Sequence, residues 1–166
     1  MRVEGFSLPL KITRDKHIQI QRQEAFEETL QRVVLSSPAQ DIKENIKEIV
    51  KKVSAKYGVP EGLLWAVMEV ESGFKPNAYN RNRDGTEDIG IMQINYQHNK
   101  RLMKEYGITD PKQLYQIDLN IELGARILYE NYRRYGDWVM AVKAYNGIRA
   151  DNWDYVRRVI SKATGR

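Results

Sequence analysis

Glu71 is the residue of this chain whose setting best suits proton transfer. It closes an apolar run, Leu63-Leu64-Trp65-Ala66-Val67-Met68-Glu69-Val70-Glu71-Ser72-Gly73-Phe74. Steps of three and four put Leu63, Val67, Val70 and Glu71 on one helical face. Gly73 supplies a stop and Pro76 prevents quick resumption, so Glu71 falls in the last turn, where orphan carbonyls and the negative end of the helix dipole oppose its ionisation. Burial at the end of an apolar stripe opposes it as well, and both effects raise the pKa. A carboxyl group held that way stays protonated near neutral pH and can act as a general acid. Glu69 lies on the other face with Glu61 and Trp65 and reads as a solvated acid.

Other chemistries lack their parts. The chain has no cysteine, which removes disulfides, a thiolate nucleophile and zinc fingers. Its two histidines, His17 and His98, are too far apart in sequence to suggest a metal cluster. Asn80, Asn82, Asp84 and Gly85 imitate the first half of a calcium loop, but Asn stands at the first position and Ile91 stands where the bidentate glutamate belongs. No metal or other cofactor is expected. The 27 basic residues exceed the 22 acidic ones by five, spread through the chain without a basic run interleaved with aromatics, so nucleic acid is not an expected partner. No apolar run approaches the length of a membrane span, and the stretch Met1 to Leu10 lacks the apolar core of a signal peptide.

The elements that must position Glu71 are helical. Residues 1–16 show no clear period and read as an extended or mobile leader. A helix is expected over 17–35, with Phe26, Leu30, Val33 and Val34 on one face, and Ser36-Ser37-Pro38 breaks it. Residues 41–56 carry the stripe Ile42, Ile46, Ile49, Val50 and Val53; Gly58 and Pro60 then separate this helix from that of Glu71. The polar stretch 76–88 reads as a surface loop, and 90–95 as a short strand or the start of a helix. Weak helix follows over 96–106. A helix is expected over 120–135, capped by Asp110-Pro111 or Asp118, in which Gly124 admits a close neighbour. A helix from Trp138 places Ala141, Val142 and Tyr145 on one face, and a last helix over 152–162 groups Trp153, Val156 and Ile160. The fold class is all-α.

Four ordered pieces then stand together: Glu71-Ser72-Gly73-Phe74 with Pro76 and Ala78; Gly90-Ile91-Met92-Gln93-Ile94; Asn120-Ile121 with Leu123-Gly124-Ala125-Arg126-Ile127-Leu128; and Ala144-Tyr145-Asn146. Over about residues 41–161 the chain resembles the catalytic domain of the soluble-type lytic transglycosylases, relatives of goose-type lysozyme that cleave peptidoglycan. The insert Asp84-Gly85-Thr86-Glu87-Asp88 looks most like the subgroup that accompanies bacterial secretion, conjugation and pilus machines. One departure is that Asn146 is followed by Gly147-Ile148 where Ala-Gly is commoner, which bears on the groove floor.

The resemblance implies a lysozyme-like helical domain over 39–166, preceded by a leader and amphipathic helix over 1–38 that could serve as an adaptor. It implies cleavage of the bond between N-acetylmuramic acid and N-acetylglucosamine, with Glu71 as acid and then base and a 1,6-anhydro end as product. Tyr145 would hydrogen-bond near Glu71, and Ser72, Met92, Gln93 and Asn146 would line the sugar groove. Asp88, seventeen positions after Glu71, is a candidate second carboxylate, its plain alternative being a loop acid that caps Gly90 or pairs with Arg81 or Arg83. Two rival functions follow: a lysozyme-type hydrolase that uses Asp88, and a weakly active peptidoglycan-binding module of a secretion or flagellar assembly. Glycan strands are the expected partner, with secretion, pilus or flagellar machinery reached through residues 17–35. The expected location is the cell wall or periplasm.

Overall fold

A computed structural model describes residues 11–35 and 38–165. The chain divides into two units between Lys43 and Glu44. In the first, α1 runs from Lys11 to Leu35 and leaves Ile18, Ile20 and Phe26 exposed. Helix therefore begins inside the segment expected to be irregular. The rest of the leader, the Ser36-Ser37 break and the side chains of Leu30, Val33 and Val34 lie outside the described residues.

The second unit holds the core. α2 (Pro38–Tyr57) enters it with Ile46, Val50 and Val53 buried, while Ile42 is exposed. α3 (Glu61–Ser72) buries Leu63, Leu64, Ala66, Val67 and Met68. It stops at Gly73, whose φ of 61° is left-handed, and the amides of Gly73 and Phe74 close onto the carbonyls of Glu69 and Met68. The Gly73 bond is that of an αL stop, and the Phe74 ring lies against Trp65 with centroids 5.9 Å apart.

Residues 79–95 are the main departure from an all-helical expectation. Three short strands, β1 (Tyr79–Arg81), β2 (Glu87–Ile89) and β3 (Ile94–Asn95), pair antiparallel in the order β1-β2-β3. The register sets Asn80 opposite Asp88 and Asp88 opposite Asn95, so one cross-strand row is entirely polar. Strands this short, paired through carboxamides, carry no apolar alternation for a sequence to display.

The remaining helices are α4 (Lys100–Glu105), α5 (Ile117–Tyr135), α6 (Trp138–Gly147) and α7 (Trp153–Thr164). Asp110 caps the 3-10 turn Pro111–Tyr115 with a capping box, not α5 itself, whose N-cap is Gln116. Asp137 caps α6 through the amides of Val139 and Met140. α7 buries Tyr155, Val156 and Val159, while Trp153 is exposed. Of the expected stripe, Val156 is buried and Ile160 packs against the core, while Trp153 faces out and Tyr155 and Val159 take the inward face. α7 lies close to α3, where a Cβ on Gly62 would stand 3.0 Å from the Ala163 carbonyl oxygen.

α5 seats the turn between β2 and β3. Asn120, fully buried, donates through Nδ2 to the carbonyls of Ile89 and Leu114 and accepts from the Met92 amide, each at 2.8 Å. Gly90, with φ of 83°, passes so close that a Cβ would come within 2.5 Å of the Leu114 carbonyl oxygen. One turn along α5, Gly124 leaves the space that the Met92 thioether fills. Among the described residues, no helix is long and apolar enough to cross a membrane.

Candidate active site

The last turn of α3 delivers Glu71 to an open cavity of about 400 Å³. Asp88, Gln93, Tyr145 and Asn146 line the same cavity. The fold therefore gathers five of the residues singled out in sequence from α3, β2, the β2–β3 turn and α6. Asn82, Asn95, His98, Asn99 and Asn131 add to a polar lining, with Ile94 and Ile127 among its apolar members.

Burial raises the Glu71 pKa from its ordinary 4.5 to about 7, the negative charge of Asp88 adds to the rise, and two groups work against it: a hydrogen bond from Tyr155 and the positive charge of Arg158. The hydroxyl on Glu71 is that of Tyr155, which donates to Oε1 at 2.6 Å. Tyr145, expected to hydrogen-bond near Glu71, lines the same cavity and donates to the Met92 carbonyl at 2.8 Å. It lies near enough for the Glu71 and Asp88 charges to raise its own pKa, although burial is the larger cause. The Tyr155 phenol is also pushed up, by burial first and then by Glu71, so it remains a donor at any working pH. Tyr155 was missed in sequence, and its signal was the spacing of Asn152, Tyr155, Val156 and Val159, which competes with the Trp153 stripe on the same helix.

Two expected groove residues stand elsewhere. Met92 is fully buried against Gly124 and does not line the cavity; it contributes its carbonyl, which anchors Tyr145. Ser72 is also absent from the lining. Its Oγ has one proton for two carbonyls, Ile91 at 2.7 Å and Met68 at 3.2 Å, and accepts from the Lys75 amide, tying the end of α3 to the β2–β3 turn. Both residues shape the site from behind.

Asp88 has a different environment from Glu71. Its carboxylate accepts from Asn95 Nδ2 at 2.7 Å, Asn82 Nδ2 at 2.8 Å and Asn80 Nδ2 at 3.4 Å. Those contacts replace the pairing with Arg81 or Arg83 expected of a plain loop acid. They also occupy Asn80 and Asn82, two of the calcium-loop positions, as donors to a carboxylate. Gln93, at a left-handed φ of 50°, gives its Nε2 to the Gly90 carbonyl and has Oε1 to offer the cavity.

The family model described as the transglycosylase SLT domain matches residues 48–165. The chain belongs to the transglycosylase SLT family. Protein IpgF of Shigella flexneri is 41% identical over 95 residues, which cover 57% of this chain and 62% of that one. The invasion protein IagB of Salmonella typhimurium is 37% identical over 106 residues, covering 64% of this chain and 66% of its own. This SLT chain thus spans just under two thirds of the length of these relatives. A structure of the lytic transglycosylase Slt from Pseudomonas aeruginosa, solved as an inactive mutant, matches with a TM-score of 0.60 at 24% identity over 70% of this chain and 23% of that one. The likeness is one of fold, and the expected lysozyme-like helical architecture is the one found.

Proposed function

We propose that this SLT domain cleaves the glycosidic bond between N-acetylmuramic acid and N-acetylglucosamine in peptidoglycan as a lytic transglycosylase. The observation that carries the reading is Glu71, a carboxyl group with a pKa of about 7, oriented by Tyr155 at the edge of an open polar cavity. Because Tyr155 donates to Oε1, the proton of the neutral acid is carried on Oε2. That proton passes to the glycosidic oxygen as its bond to C1 breaks. The glutamate then accepts the proton of the sugar's C6 hydroxyl as that oxygen bonds to C1, which regenerates the acid and leaves a 1,6-anhydro end without consuming water. The attacking hydroxyl belongs to the same sugar, so proximity stands in for a second catalytic carboxylate. Digestion of purified sacculi should release anhydro-terminated muropeptides, and Glu71→Gln should abolish their release. No anhydro product from the wild type, or an undiminished yield from the variant, overturns the reading.

A second reading is favoured by Asp88. A raised acid and a carboxylate surrounded by hydrogen-bond donors, both facing one cavity, is the division of labour used by two-carboxylate glycosidases. Reducing ends in place of anhydro ends, together with loss of activity in Asp88→Asn, would establish hydrolysis.

A peptidoglycan substrate supports a location outside the cytoplasm, and we assign the domain to the cell wall or periplasm. We assign residues 1–38 the part of an adaptor to secretion, pilus or flagellar machinery, supported by the exposed Ile18, Ile20 and Phe26 and by the relative named as an invasion protein. The family match from residue 48 onward supports their separability. Deleting residues 1–38 should leave the melting temperature and muropeptide yield unchanged, and a fall in either refutes the assignment.

A further inference from the structure

Asn152, the residue before α7, is buried and holds together the segment that leaves the cavity. Its Nδ2 faces three acceptors that share its two protons, the Lys143 carbonyl at 3.1 Å, the Gly147 carbonyl at 3.1 Å and Asn146 Oδ1 at 3.2 Å. Two of these acceptors are backbone carbonyls, which can only accept, so the amide nitrogen of Asn152 must face them. The Asn146 atom that meets the same nitrogen must then be its oxygen. By elimination, the Nδ2 group of the exposed Asn146 is the end available to the cavity.

The arrangement has a cost. Asn152 Oδ1 is buried with no partner among the described residues, a loss of about 1–3 kcal/mol for an acceptor of this kind. Lys143 secures the far side, since its buried ammonium donates at 2.8 Å to the carbonyls of Ile148 and Ala150 and stands 5.3 Å from the Trp153 ring centroid. Gly147, whose φ is 125°, is thereby held between the two clamps.

We infer that Asn152 is a positioning residue that fixes the Asn146 carboxamide as a hydrogen-bond donor to the acetamido carbonyl of a bound sugar. This rests on the peptidoglycan reading. A fixed donor discriminates against atoms that cannot accept, and it distinguishes poorly among hydroxyls, which can turn to suit either role. The amide carbonyl of an N-acetyl sugar accepts only. The selectivity therefore falls on the acetyl group, and a site built to hydrogen-bond a substrate group rejects analogues that lack it.

Binding can be tested apart from catalysis in the Glu71→Gln background of the full chain, by titrating tri-N-acetylchitotriose and its de-N-acetylated counterpart and following backbone amide shifts. The trimer should bind about tenfold more tightly when acetylated. Asn146→Asp keeps the inward oxygen for Asn152 but turns the outward donor into an acceptor, and it should erase most of that preference. Asn152→Ala should erase a comparable part, and the two changes together should lose no more than the larger alone. Asn146→Asp alters an exposed side chain and so keeps the question answerable if Asn152→Ala folds poorly. An acetyl preference that survives in Asn146→Asp, or additive losses in the double variant, overturns the inference. Acetyl-selective binding by a wild type that forms no anhydro ends would instead sink the proposed reaction and leave this inference standing.

Discussion

Glu71 and Asp88 are two carboxylates on one cavity, and the chain treats them in opposite ways. Glu71 ends an apolar helix where burial works against charge, and its hydrogen bond from a neutral phenol only partly offsets that. Asp88 sits in a polar strand row where three carboxamides donate to it. Burial tunes the acid, while its neighbour is held in place by the donors around it. Each also acts on the other, since the Asp88 charge helps to keep Glu71 protonated.

The largest effect expected from breaking this contrast is in Glu71→Gln, which should lower muropeptide release by about a thousandfold or more, measured by initial rates on sacculi. The same variant should be more stable than the wild type at high pH. With its folded pKa raised to about 7 from the ordinary 4.5, Glu71 ionises less readily in the native protein than in the unfolded chain. Its contribution to stability is therefore intact below about pH 4.5 and is lost as pH rises through about 7. Denaturant titrations should show Glu71→Gln ahead by on the order of 2 kcal/mol at pH 8, with no difference near pH 4.

Tyr155→Phe comes next, with an expected loss of about tenfold to a hundredfold in kcat/KM. The tyrosine lowers the Glu71 pKa, so its removal should move the high-pH limb of the rate profile upward. Asp88→Asn should move that limb downward, because it removes a charge that raises the pKa. If a single carboxylate suffices, the rate at the optimum should fall by no more than about tenfold. Limbs that move in the same direction in the two variants would contradict the opposed effects of Tyr155 and Asp88 on Glu71. The smallest effect belongs to Glu69→Gln, two residues before the acid but exposed and paired with Lys162. Its melting temperature should change by no more than a surface ion pair of about 0.5 kcal/mol allows, and its cleavage rate should match the wild type.

Glu71 was legible in sequence because two strong local signals, an apolar helical period and a Gly73 stop, meet at its position. Asn120 and Gly124 were legible as a motif, although their service to Met92 and Gly90 becomes visible only when distant segments are brought together. Of the sheet only the strand offered within 90–95 was legible, since Asn80, Asp88 and Asn95 sit opposite one another in a polar row that no hydrophobic pattern announces. Tyr155 was hidden for another reason. Trp153, Tyr155, Val156 and Ile160 offer two overlapping stripes on one short helix, and only docking against α3 decides which of them turns inward. Tyr145 illustrates the limit of motif reading: its hydroxyl supports the cavity wall through Met92, and the bond to the acid comes from a different helix.

Asn120 gives the cavity wall and the core a shared fate. Its bonds to Met92 and Ile89 reach across 28 and 31 residues of chain, so the wall cannot assemble until α5 has docked, and loop closure of that length must be met before any groove exists. No folded species with a disassembled wall should accumulate. In a urea titration, cleavage activity and the helical circular dichroism signal should vanish at one midpoint, and a cell that retains the folded domain retains a working groove with it.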